Sequence, residues 1–149
     1  PQLARGACSP ANIMGYIGTN DQTFASGASC LSHYESRCSG VSNLQGLSSA
    51  RGPLQVVRGL NDTGHNLNFE ACTVAAQAKG WTGTGNLNCS QAFPGGKPNP
   101  AVPSLVKACN DAASDPKCNF TAGYWLYQHP PTGGDGWSHW NESRDTCGL

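Results

Sequence analysis

Glu35 stands in the segment Ser32-His33-Tyr34-Glu35-Ser36-Arg37, and further on the chain runs Ala50-Arg51-Gly52-Pro53-Leu54-Gln55-Val56-Val57. A carboxyl that keeps its proton near neutral pH can donate it to a leaving oxygen, which is the demand of general acid catalysis. Near the C-terminus of a helix the macrodipole opposes the ionised form of Glu35. Leu31, Tyr34 and the Leu54–Val56 turn would add desolvation in the same direction. Arg37 opposes this if it turns toward the carboxyl. The Gly52–Val57 segment has the make-up of a binding wall. Gly52 lets a ligand approach the backbone closely, and Gln55 offers both a donor and an acceptor.

Helices must position these groups. Ser9-Pro10 reads as an N-cap followed by proline at the first helical position, opening a short helix to about Tyr16. Asp21 caps a second helix over 22–37, with Phe24, Cys30, Leu31 and Tyr34 as its apolar stripe. Asn66 or Asn68 starts a third, Phe69–Lys79, which Gly80 ends in a left-handed cap. Glycines and prolines leave no room for a regular element over 81–100. A fourth helix covers Pro103–Ala113, and a fifth begins near Thr121 and stops before Pro130-Pro131. Strand signal is confined to Leu54–Arg58. The expectation is one mainly α, loop-rich and disulfide-stapled domain over residues 1–149.

The Glu-Ser followed by Gly-Pro-Leu-Gln-Val resembles the active-site frame of the lysozyme-like superfamily. In lytic transglycosylases and goose-type lysozymes a helix ends in a catalytic Glu-Ser, and a Gly-Leu-Met-Gln-Val-like turn lines the sugar cleft. The resemblance covers residues 28–58. Pro53 departs from the residue usual after that glycine, and Leu54 takes the place of Met. What it implies is an α+β lysozyme-like fold and cleavage of β-1,4-linked N-acetylhexosamine polymers, peptidoglycan ahead of chitin. Glu35 is then the general acid, with Ser36, Gly52 and Gln55 beside the sugar. Tyr124, in Ala122-Gly123-Tyr124, falls where many transglycosylases place a tyrosine near the acid, although the order of that motif is not kept.

Aromatic rings stack on the apolar faces of pyranoses, and the loop 133–136 precedes Trp137 and Trp140, which are candidates for that role or for the core. A hydrolase needs a second carboxylate, and Asp62 in Gly59-Leu60-Asn61-Asp62-Thr63 is the nearest downstream candidate. A transglycosylase manages with one acid and the substrate's own hydroxyl. The competing class is a non-catalytic glycan-binding or host-interaction protein whose crosslinks hold a loop-rich surface. His33, His65, His129 and His139 show no zinc spacing, and neither a Gly-x-Ser-x-Gly elbow nor a phosphate-binding loop occurs. No metal and no cofactor are expected.

Nine basic and nine acidic residues in 149 leave a net charge of zero. That excludes the basic face a nucleic-acid binder needs and weakens any long-range pull toward an anionic membrane or polymer. Eight cysteines without a Cys-x-x-Cys pair read as four disulfides formed in an oxidising compartment. Their 105 pairings stay open, Cys8–Cys147 as a clamp on the termini among them, and Cys30 and Cys38 are too far apart to pair along one helix. Sequons at Asn61, Asn88, Asn119 and Asn141 agree with a secretory route. No apolar run is long enough to span a membrane, no hydrophobic signal segment is present, and residue 1 reads as the start of a processed chain. A secreted monomer is the default expectation.

Overall fold

The computed structural model describes residues 2–39 and 49–149; the stretch 40–48, which the resemblance spans, and residue 1 lie outside the described residues. Helix α1 (Pro10–Ile17) starts at Ser9, whose hydroxyl accepts the Asn12 amide, and ends at Gly18 in left-handed conformation. Helix α2 (Gln22–Ser36) starts where Asp21 accepts the Phe24 N–H at 2.9 Å. It stops at Arg37, with φ 57°. There the Arg37 N–H returns to the His33 carbonyl and the Cys38 N–H to that of Ser32, satisfying carbonyls the helix would otherwise leave open.

Helix α3 (Glu70–Ala78) begins one residue later than expected, with Phe69 rather than an asparagine at its cap. The segment 81–100 is not free of regular structure, because Asn88 caps a short helix α4 (Cys89–Ala92), followed by a 3-10 turn at Pro94–Gly96. Helix α5 (Pro103–Ser114) matches its expected span to a residue. Helix α6 (Pro116–Gln128) starts five residues before Thr121, since Asp115 accepts the Cys118 amide and Pro116 sits at the first helical position. A 3-10 turn (Ser138–Trp140) leads into α7 (Asn141–Arg144). The described chain is mainly helical, and its one sheet is a two-stranded antiparallel hairpin of β1 (Ala50–Arg51) and β2 (Val56–Val57), in register Ala50–Val57 and Arg51–Val56.

Four disulfides staple this framework: Cys8–Cys38, Cys30–Cys147, Cys72–Cys118 and Cys89–Cys109. The termini are therefore not clamped to each other, as Cys8–Cys147 would do. Each is tied instead to α2, Cys8 just beyond its C-terminus and Cys147 at its centre. Cys30–Cys147 closes a loop of 117 residues, and a crosslink of that span stabilises by about 5 kcal/mol on the chain-entropy model.

The core centres on Phe24, fully buried and ringed by Tyr124, Tyr127 and Trp137 at centroid distances of 4.7, 5.1 and 5.9 Å. A fully buried asparagine makes three of the bonds that hold the hairpin turn to the helices. Asn119 in α6, with no exposed surface, accepts the Leu54 N–H at 2.8 Å and donates to the carbonyls of Arg51 at 3.0 Å and Ala113 at 2.9 Å. Gly52, at φ 82°, packs its α-carbon against this same asparagine, and a Cβ there would collide with the Ala113 carbonyl and the Asn119 amide. The glycine serves the approach of the hairpin to α5 and α6, not the approach of a sugar.

Candidate active site

The C-terminus of α2, the hairpin and the segment 138–143 enclose an open cleft of about 660 Å³, lined among others by Tyr34, Glu35, Gln55, His139, Trp140 and Glu142. Two anchors bring the last segment to α2. Cys147 is bonded to Cys30, and the indole N–H of Trp140 donates to the Leu54 carbonyl at 2.9 Å. The Ser36 hydroxyl holds the hairpin from the other side, donating to the Pro53 carbonyl at 2.8 Å and accepting the Ser39 N–H. Ser36 therefore positions the turn through backbone groups.

Glu35 is half-buried at the cleft wall. Burial pushes its carboxyl above the ordinary value of 4.5, the hydrogen bond from Ser143 opposes this, and the neighbouring negative charge of Glu142 adds to the rise. The Ser143 hydroxyl donates to Glu35 Oε1 at 2.7 Å. Arg37 turns away toward the His33 ring and the Tyr34 face, leaving the effect of burial uncompensated by a cation. Gln55, held at φ 51°, donates its side-chain amide to the Gly52 carbonyl at 2.9 Å. Tyr34 and Val57, each 39% exposed, form the apolar part of the wall.

Of the residues singled out from sequence, Glu35, Gln55 and Trp140 share this cleft. Trp137 does not. It is 8% exposed and stacks on Phe24, with Gly27 making room for its ring on α2. Tyr124 lies against Phe24 and lines a different, largely apolar cavity with Tyr16, Phe69 and Val74. Asp62 lines neither. Its carboxylate accepts the His65 N–H at 2.8 Å and pairs with His65 Nδ1 at 2.7 Å. Burial raises its pKa, but these bonds and the nearby imidazoles outweigh that and hold it below the usual carboxylate range. Asp62 approaches the cleft only through rings, because His65 meets His139 edge-on at 5.7 Å. Burial holds the His139 imidazole below its ordinary pKa, with the His65 charge adding to this and nearby backbone groups opposing. That shift favours the neutral form of the ring.

Glu142 and Ser143, which the sequence reading passed over as site residues, stand in the cleft beside the acid. Glu142 brings a second carboxylate to this cleft, which Asp62 does not line. No group of three or more His, Cys, Asp or Glu suited to a metal occurs among the described residues. Trp140→Phe leaves the Leu54 carbonyl buried and unpaired, so stability falls by about 1–2 kcal/mol. A denaturant midpoint that drops with an unchanged slope would register this. No family model, no curated protein and no solved structure matches this chain.

Proposed function

We propose that this chain is a secreted lysozyme-like glycosidase that cleaves β-1,4 bonds between N-acetylhexosamine units, with Glu35 as general acid. The observation that carries the reading is a carboxyl with a raised pKa, in an open polar cleft, with a second carboxylate on the same wall. Glu35 gives its proton to the glycosidic oxygen as the bond to the anomeric carbon breaks, and Glu142 offers negative charge to the oxocarbenium-like centre that develops. Water, activated by the Glu35 carboxylate thus formed, completes hydrolysis and restores the proton. Attack by the substrate's own hydroxyl instead gives an anhydro product. Tyr34 supplies an exposed ring for sugar stacking and Gln55 a polar edge on the wall.

The described lining holds two carboxylates and no Lys or Arg, an arrangement that repels an anionic polymer. An uncharged, chitin-type N-acetylglucosamine chain is therefore placed ahead of peptidoglycan. Four disulfides support an oxidising, extracellular setting, and no helix among the described residues is long and apolar enough to cross a membrane.

Incubation with an N-acetylglucosamine hexamer and, in parallel, with purified peptidoglycan tests the reading, soluble products being weighed by mass spectrometry. Shorter oligomers carrying one added water are expected from the hexamer, and products lighter by one water would mark transglycosylation. Saturable binding with no product from either polymer would replace the enzyme by a glycan-binding module.

The acid must be protonated to act, so kcat/KM falls as pH rises through the Glu35 pKa, on a limb centred above 4.5. The Ser143 hydrogen bond favours the ionised form, and Ser143→Ala is expected to move that limb to higher pH. A limb that stays in place or moves down in a pH-rate profile would count against Glu35 as the titrating acid.

A further inference from the structure

The four sequons differ sharply in what surrounds their asparagines. Asn119 is sealed, and both ends of its amide are engaged by backbone groups. Asn88 accepts the Gln91 N–H and the Ser90 hydroxyl as the cap of α4. Asn61 is exposed and accepts a long 3.4 Å bond from Ser90. Asn141 is exposed at the first position of α7, and its side chain has no hydrogen-bond partner among the described residues. It also lines the Glu35 cleft, together with the two other residues of its own sequon, Glu142 and Ser143.

We propose that Asn141 carries an N-linked glycan whose first N-acetylglucosamine lies at the mouth of the Glu35 cleft, so that the modified protein is covered there and the unmodified protein is open. The proposal rests on the secretory route proposed above. In the modification the Asn141 amide nitrogen bonds to C1 of the first sugar of a lipid-linked oligosaccharide diphosphate. The bond from C1 to the diphosphate oxygen breaks, the lipid diphosphate departs, and the amide gives up one proton. Ser143 is needed as the sequon hydroxyl while the chain is still extended, and its bond to Glu35 forms only on folding. A sugar tethered beside the cleft is present there at high effective concentration. Its chemistry is that of the unit the cleft is proposed to bind. Asn119 must escape modification in any molecule that folds, since its amide has no path to solvent.

The test uses protein secreted by a glycosylating eukaryotic cell line. Enzymatic removal of N-glycans in heavy-oxygen water leaves a labelled Asp at every site that was occupied, and peptide mass mapping reads the sites. Label at Asn141 and none at Asn119 is expected. In the intact glycoprotein, coupling of an amine to Glu142 by a water-soluble carbodiimide is expected to run about fivefold slower than in Asn141→Gln from the same cells, because a bulky surface glycan stands over it. An unlabelled Asn141 overturns the proposal, and so does a labelled Asn141 with unchanged coupling to Glu142. Neither readout needs catalysis. Failure of the glycosidase reading shows separately, as absence of product from Asn141→Gln protein.

Discussion

Glu35→Gln is expected to lower kcat by about a thousandfold, within the range that a positioned general acid supplies, while the folded state is kept. Glutamine has the shape of the acid and can still accept the Ser143 hydroxyl that donates to Oε1 at 2.7 Å, but it has no dissociable proton. The stability change follows from the direction of the Glu35 shift. Its folded pKa lies above the ordinary 4.5, so the folded chain holds that proton more tightly than the unfolded chain does. The favourable contribution is complete below the unfolded pKa and is lost as pH rises through the folded one. At neutral pH, burying the ionised carboxyl is a net cost, and Gln removes it. The variant should therefore melt at or slightly above the wild-type temperature at pH 7 and gain nothing near pH 4. Product release equal to wild type from the hexamer would end the assignment of Glu35. A cooperative melt lost in the variant would point to a structural carboxylate.

Most of the helical frame is legible in local chemistry. Ser9-Pro10 and Asp21 announce α1 and α2, and both caps make the bonds their residue types predict. The start of α6 carries the same kind of signal in Asp115-Pro116, yet it directly follows α5 at Ser114. Without a glycine between them, the two helices read as one helix and a gap. The site divides along a similar line. Glu35 and Gln55 are legible because one lies at a helix end and the other in a tight hairpin turn, both encoded within a few residues. Trp137 and Trp140 follow one glycine-rich loop and look alike in sequence. Packing alone separates them, sending the first onto Phe24 and the second to the cleft wall. Gly52 misleads for a related reason: its positive φ is needed, but the group that approaches it is Asn119. Glu142 and Ser143 become visible only through a cysteine pairing. Once Cys30 is joined to Cys147, the segment that carries Glu142 and Ser143 is drawn to α2, where Ser143 bonds Glu35. No spacing rule chooses that pair among the alternatives.

Asn119→Ala is the substitution with the largest expected cost to the fold, about 3–5 kcal/mol, since it leaves two buried backbone groups and a part-buried one without their partner at about 1–3 kcal/mol each, partly offset by relaxation. Those groups are the Leu54 N–H and the Arg51 and Ala113 carbonyls. In a chain of this size the loss lowers Tm by roughly 8–15 °C. The damage is also directed at the cleft, because Arg51 precedes the turn that carries Gln55 and Leu54 lies within it. Activity measured well below the melt should fall as well, which a remote core defect would not cause. Asn119→Asp separates hydrogen bonding from packing. It keeps the volume and the acceptor for Leu54 but turns an oxygen toward two carbonyls, and it should cost as much as alanine. Thr121→Ala breaks the same sequon while sparing the Asn119 amide. Among the described residues the threonine hydroxyl bonds only to the Lys117 carbonyl of its own helix, so this variant should lie within about 1 kcal/mol of wild type, a helical hydroxyl-to-carbonyl bond contributing little net stability. Equal losses in Asn119→Ala and Thr121→Ala would mean that the sequon matters as a modification site. A loss confined to the Asn119 variants would mean that the buried amide itself holds the hairpin against α6 and, with it, one wall of the cleft.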